Sequence, residues 1–195
     1  NASYQVDIPE LVDAEIRFSW LAAHVSSPVK CNGLYYWLDT AGNLGIFDPK
    51  DNECSWTVCD KPLRRLNNSQ QSFMIESDGE LFTVFVGCDG RQVHVFKLDF
   101  SEEAWHEVQS LGDKMVHVSY RSSFSEKAVV RGTGNKIYFP KFYGGNGVFY
   151  SLGTRKFHSF VGNFSKEDFY DMKDMKHCTW IKLRLTRACD AEIKW

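Results

Sequence analysis

The clearest hydrophobic pattern in the chain lies between residues 79 and 111. Leu81-Phe82-Thr83-Val84-Phe85-Val86 is a short apolar run of β-branched and aromatic side chains, the composition of a strand covered on both faces. Asp89-Gly90 reads as a two-residue type I′ turn. Val93 to Phe100 continues as a second strand, and Ser101-Glu102-Glu103 forms a polar turn. Ala104 to Leu111 then runs outward, with Trp105 and Val108 as its large apolar side chains. The first strand is apolar on both faces and the last is mostly polar. Such a gradient predicts a radial blade whose inner strands are sandwiched between neighbours and whose outer strand meets water.

The pattern recurs on either side. Upstream it reads Asn32 to Trp37, Asn43 to Asp48 and Ser55 to Val58; downstream it reads Gly134 to Phe139, Gly147 to Leu152 and Lys156 to Phe160. Third-strand aromatics Phe47, Phe96 and Phe149 are separated by 49 and 53 positions, and fourth-strand aromatics Trp56, Trp105 and Phe157 by 49 and 52. An innermost strand is expected before each unit, at Pro28–Cys31, Phe73–Glu76 and Ala128–Arg131. Four strands in roughly 50 residues is the period of a β-propeller blade. The predicted fold is therefore all-β: a kelch-like propeller with three to four blades in view, at about 28–60, 71–111 and 126–161, in a single domain spanning 1–195.

Less regular segments fill the rest. Glu15 to Trp20 alternates and reads as a strand of a preceding unit. Asp60–Gln70 and Gly112–Ser125 are polar connections that carry the chain from one blade to the next. Ser165–His177 reads as a short helix, with Ser165 as its cap and Asp168 three residues on. A ring needs at least four blades, so three units predict part of a ring. The first residue is Asn, and the chain reads as a fragment or domain of something longer.

Net charge is −2, which gives no overall field toward nucleic acid or anionic membrane. No apolar run approaches the ~20 residues of a membrane-spanning helix. Six cysteines lack the paired spacing of a zinc site, and at this length they suggest a reducing compartment. Asn1, Asn67 and Asn163 open glycosylation sequons, a motif short enough to arise by chance.

No motif carries catalysis. Gly132-Thr133-Gly134 lacks a third glycine, and Gly144-Gly145-Asn146-Gly147 reads as a hairpin loop. His94 and His106 are expected as strand residues. Asp168, Asp171, Asp174 and His177 recur every three residues, as on a solvated helix face. A propeller enzyme acting on a glycan or lactone gathers carboxylates or a metal at its axis, and the inner strands offer only Glu76 and Glu126. No catalytic residue, cofactor or metal is assigned. A purely structural repeat is the third possibility.

Lys97-Leu98-Asp99-Phe100 followed by Trp105 to Asp113 resembles a "KLDF…W-x-x-V-x-S-L-G-D" signature, as does Ser122–Ser125 followed by Asn135–Phe139. The resemblance is to the plant F-box proteins with a C-terminal kelch-like propeller, long catalogued as a domain of unknown function. It covers residues 28–183. It implies a non-catalytic substrate receptor, cytoplasmic or nuclear, in a cullin ubiquitin ligase. In that family an F-box binds the Skp adaptor and the propeller recruits the substrate protein. The chain departs in holding no F-box, so Skp and cullin are expected only through a segment outside it, and in having Leu183 where the family has proline.

Loops between second and third strands, and from one blade to the next, are expected on one face of the disc. They are 39–43, 88–91, 142–146, 60–70 and 112–125. Arg64, Arg65, Arg91, Tyr120, Arg121, Phe142 and Tyr143 are the residues there of the types that dominate interfaces. The arginines favour an acidic or phosphorylated segment on a partner protein.

Overall fold

A computed structural model of the 195-residue chain describes residues 27–39, 42–51, 56–59, 71–87, 92–143, 146–159 and 178–182. Among these residues every regular element is a strand, and the strands form three sheets. The first holds β1 (Val29–Cys31), β2 (Leu34–Leu38), β3 (Leu44–Phe47) and β4 (Trp56–Val58), antiparallel and in chain order. The second repeats this with β5 (Gln71–Ser77), β6 (Glu80–Val86), β7 (Val93–Asp99) and β8 (Ala104–Glu107). The third has five strands: β9 (Lys114–His117), β10 (Phe124–Lys127), β11 (Lys136–Tyr143), β12 (Asn146–Ser151) and β13 (Lys156–Ser159), in the order β10-β9-β11-β12-β13. These are propeller blades in an open, partial ring. The helix read over 165–177, the sequons and the Asp89-Gly90 turn lie outside the described residues.

The cores lie between the sheets, and strand alternation sorts the middle sheet's side chains between them. Leu81, Phe85, Met74 and Leu98 join Cys31, Tyr36, Leu38 and Leu44 of the first sheet in one core. Phe82, Val84, Val86, Phe73, Ile75 and Val95 join Val116, Ile137, Phe139, Val148 and Tyr150 of the third sheet in the other. Every residue from Leu81 to Val86 is buried, whereas His106 and Glu107 of β8 are exposed. The apolar-to-polar gradient of the sequence is thus the inside-to-outside gradient of the blade.

The third sheet departs from the sequence reading in two ways. Ala128–Arg131 is not its inner strand: Val129 and Val130 are 96% and 65% exposed, in a turn that Thr133 closes by donating to the Val130 carbonyl. Instead β9 occupies the place beside β11 and runs parallel to it, and β10 folds back on its inner side, nearest β5. Gly134 permits this close entry, since a Cβ there would lie 3.0 Å from the Asp113 Cα. The third-strand repeat also shifts. Trp56, Trp105 and Phe157 pair with Phe47, Leu98 and Tyr150, spaced by 51 and 52. Phe47, Leu98 and Tyr150 are therefore the equivalent positions. Phe149 points to the other face, one residue out of phase.

That other face carries a ladder of directly opposed rings across all five strands: Phe124, His117, Tyr138, Phe149 and His158. Successive centroids are 4.8, 5.0, 5.8 and 5.3 Å apart.

Two stability outcomes follow from the inter-sheet cores. Trp105 is half-buried against the first core, and Trp105→Ala should lower unfolding free energy by about 3 kcal/mol in urea melts, the lower end for a large aromatic truncation. Thr83 is fully buried between Leu81 and Phe85, opposite Met74 and Phe96, and its Oγ1 has no partner among the described residues. Thr83→Val keeps the shape and removes an unsatisfied hydroxyl, so it should raise stability by about 1 kcal/mol in the same assay.

Candidate functional site

Two kinds of chain reversal define the two ends of the blades. At one end lie tight turns. Asn32-Gly33 and Asp78-Gly79 both take positive φ, 49° and 90° in the first pair and 55° and 79° in the second. This is the type I′ pattern, in which Asn, Asp and Gly are least strained. These turns hold one another. Asn32 Nδ2 donates to the Gly79 carbonyl at 3.1 Å, and Gly79 N–H donates to Glu76 Oε1 at 2.8 Å. Lys114 of the third sheet donates to Ser77 Oγ at 2.8 Å and to Asp78 Oδ2 at 2.7 Å. The ammonium of Lys114 holds the Asp78 carboxyl below the usual carboxylate range. With the three sheets aligned at this end, β2, β6 and β11 finish at the other, the loop end, and the turn 118–123 that follows β9 lies there with them.

The connection 112–125 does not lie on one face. Gly112 and Asp113 sit at the turn end, β9 then crosses the blade, and only 118–123 belongs to the loop end. There Ser119, 2% exposed, anchors a compact turn. Its hydroxyl donates to the Ser122 carbonyl, and Ser123 Oγ donates to the Ser119 carbonyl at 3.0 Å. On this turn Arg121 is exposed. Tyr120 turns inward: its ring meets Phe73 at 5.8 Å, edge-on, and packs against the second core. Burial pushes the Tyr120 phenol up, and Gln71 beside it opposes the shift.

Phe142 and Tyr143 are strand residues of β11 rather than loop residues, opposite Gly147 and Asn146 at the loop end. Arg64, Arg65 and Arg91 lie outside the described residues. Asp39, 2% exposed, caps its own loop by accepting from the Asn43 backbone at 2.8 Å and from Asn43 Nδ2 at 2.9 Å. The structure therefore brings Tyr120, Arg121, Phe142 and Tyr143 to one end and gives only Arg121 a described, solvent-facing side chain.

Other charged groups are braces. Asp99, Glu102 and His106 place ligand atoms within 4.8 Å of one another, a grouping not singled out in the sequence. Asp99 Oδ1, however, accepts from the Ser101 hydroxyl at 2.6 Å and the Ser101 N–H at 2.8 Å, which caps the β7–β8 turn. Those hydrogen bonds, the Ser101 hydroxyl foremost, hold its carboxyl low. His94 Nδ1 lies 2.8 Å from Glu107 Oε1 on neighbouring strands. A cleft of about 210 Å3 runs beside this pair toward Tyr150 and Arg155. A second, of about 610 Å3, follows the inner strands β5 and β10. Its charges pair across it, Lys114 with Asp78 and Lys127 with Asp113 at 3.1 Å. Glu76, one of the two inner carboxylates, is engaged by the Gly79 turn, and Glu126 lies 3.8 Å from His117.

Repeated blades of four or five strands with cores lying between them define a β-propeller. The chain belongs to the KIB1-4 beta-propeller family, whose model matches residues 12–171. An F-box/kelch-repeat protein of Arabidopsis thaliana is 26% identical over 151 residues, 74% of this chain and 42% of that protein. A second F-box/kelch-repeat protein of that plant is 29% identical over 113 residues, 55% of this chain and 29% of its own length. An F-box protein of the same plant is 31% identical over 115 residues, 58% of this chain and 30% of its own. The chain thus spans less than half the length of these relatives. No helix among the described residues is long and apolar enough to cross a membrane.

The placement of adjacent residues 120 and 121 separates core from surface. Tyr120→Ala should lower stability by about 2–3 kcal/mol as a partly buried aromatic truncation. Arg121→Glu should stay within about 0.5 kcal/mol of the parent, as exposed substitutions do. Chemical denaturation of the two variants checks both.

Proposed function

We propose that this chain is the substrate-recognition propeller of an F-box protein in a cullin-type ubiquitin ligase. Membership of a propeller family whose plant relatives are F-box/kelch-repeat proteins is the observation that carries the reading. The propeller acts as a non-catalytic receptor and holds a substrate protein at its loop end. An F-box elsewhere in the full-length protein engages the Skp adaptor and, through it, the cullin. The site of action is the cytoplasm or nucleus, where that machinery works.

The architecture supports the assignment physically. Both faces of the middle sheet are consumed by core packing, so recognition falls to the blade ends. Arg64, Arg65, Arg91 and Arg121, with Phe142 and Tyr143, form the recognition set. Their guanidinium groups select an acidic or phosphorylated segment, because a planar fork matches a carboxylate or phosphate in two hydrogen bonds.

Affinity capture with the full-length protein tests this. It should retain Skp and a distinct substrate protein. Replacing Arg64, Arg65, Arg91 and Arg121 with Glu should abolish substrate capture, leave Skp capture intact and leave the melting temperature nearly unchanged. Substrate capture that survives this variant but is lost on changing Glu107 or Lys156 would move the site to the blade rim. Failure to retain Skp would refute the ligase role.

A further inference from the structure

His117 occupies an unusual place. It sits on β9 between Phe124 of β10 and Tyr138 of β11, with interplanar angles of 22° and 17°. Trp180 closes the pocket edge-on at 5.1 Å, so the side chain of His117 is only 10% exposed. Nδ1 is buried with no hydrogen-bond partner among the described residues. Its lid is the segment 178–182, which arrives from far along the chain and, among the described residues, is held by few bonds. Trp180 N–H donates to Ser119 Oγ at 3.4 Å, and Thr179 Oγ1 meets the same oxygen at 3.3 Å. Lys182 Nζ donates to the Ser125 carbonyl at 3.0 Å and lies 5.4 Å from the centre of the Phe124 ring. Ile181, between these contacts, is 75% exposed, so the segment is fastened by Trp180 and Lys182 rather than by a continuous apolar face.

We propose that residues 178–182 form a pH-released clasp over His117, docked while the imidazole is neutral and lifted when it takes up a second proton. An imidazole hemmed by three aromatic rings has little water to solvate a charge. The charged and titratable groups facing it are Glu126 on β10, Lys182 on the clasp and the Tyr138 phenol on β11, whose hydroxyl already donates to the Thr133 carbonyl at 2.8 Å. Burial pushes the His117 pKa below its ordinary 6.5, Glu126 at 3.8 Å opposes this and Lys182 adds to it. The undocked state, with the ring open to water, titrates near the ordinary value. Docking is therefore at full strength above that value and weakens as pH falls below it, because only the undocked state binds the proton readily. Lifting the clasp bares His117 and Phe124 beside Arg121, at the loop end of the blades. This inference does not depend on the ligase reading.

Amide hydrogen exchange of the full chain, corrected for intrinsic rate, tests it at pH 7.5 and pH 5.0. Protection across 178–182 should fall at the lower pH, by up to about tenfold for each unit by which docking lowers the imidazole pKa. His117→Phe, which retains the ring stack, and His117→Gln should both remove the fall. If neither variant folds, Glu126→Gln serves: without the opposing carboxylate the docked imidazole resists the proton more strongly, so the loss of protection at pH 5.0 should deepen. Equal protection at both pH values would overturn the proposal. So would an equal fall in the His117 variants, or a fall in Glu126→Gln no deeper than in the parent.

Discussion

Strand β6 is covered on both faces, and the rest of the structure depends on that. Its side chains alternate between two dry cores, Leu81 and Phe85 to one side and Phe82, Val84 and Val86 to the other. A strand in this position cannot carry charge on either face without stranding it away from water. Ion pairs and polar braces are accordingly displaced to the outer strands and the blade ends. Lys97 with Glu80, His94 with Glu107, and Lys114 with Asp78 all lie there. The turn end is bound by side chains reaching from one blade to the next, through Asn32, Lys114 and the Gly79 carbonyl. The loop end is braced within its reversals, by Asp39 in one blade and Ser119 in another, and between blades by Tyr120 against Phe73.

The extra hairpin of the third sheet changes what the loop end contains. A plain crossover from β8 to the next blade would keep 112–125 together. Passing β9 through the blade instead sends Gly112 and Asp113 to the turn end and leaves a short serine-rich turn opposite. Tyr120 then anchors to Phe73 of the neighbouring sheet, and Arg121 stands outward beside it. The turn thus holds one side chain against the core and the next one in solvent.

The strands of the middle blade were legible because burial on both faces leaves a continuous apolar run, and its outer strand a polar one, although the repeat position on β7 is Leu98 rather than Phe96. The β7–β8 turn was equally clear from Ser101-Glu102-Glu103, where Asp99 caps it. The inner strand of the third blade was not legible. Lys114-Met115-Val116-His117 has the look of a connection, and only packing reveals that Val116 is core and that His117 completes a ring ladder. Ala128-Val129-Val130-Arg131 has better strand propensity but no second element to cover it, and tertiary context overrides the local preference. The phase error at Phe149 has the same origin. Adjacent aromatics Phe149 and Tyr150 serve opposite faces, and spacing alone does not say which one faces the neighbouring sheet. Among the interface candidates, residue type identified Tyr120 and Arg121 together, but which of the two turns inward is decided by the proximity of Phe73, about which the local sequence is silent.

The alternation in β6 also bears on how such a chain tolerates change over generations. Inserting or deleting one residue within it would send each following side chain from one core to the other, trading Phe85 for Val84 and Val86 in both at once. Length variation in descendants of this gene should therefore be confined to reversals such as the exposed turn around Val129–Gly132, while the span from Leu81 to Val86 keeps its count.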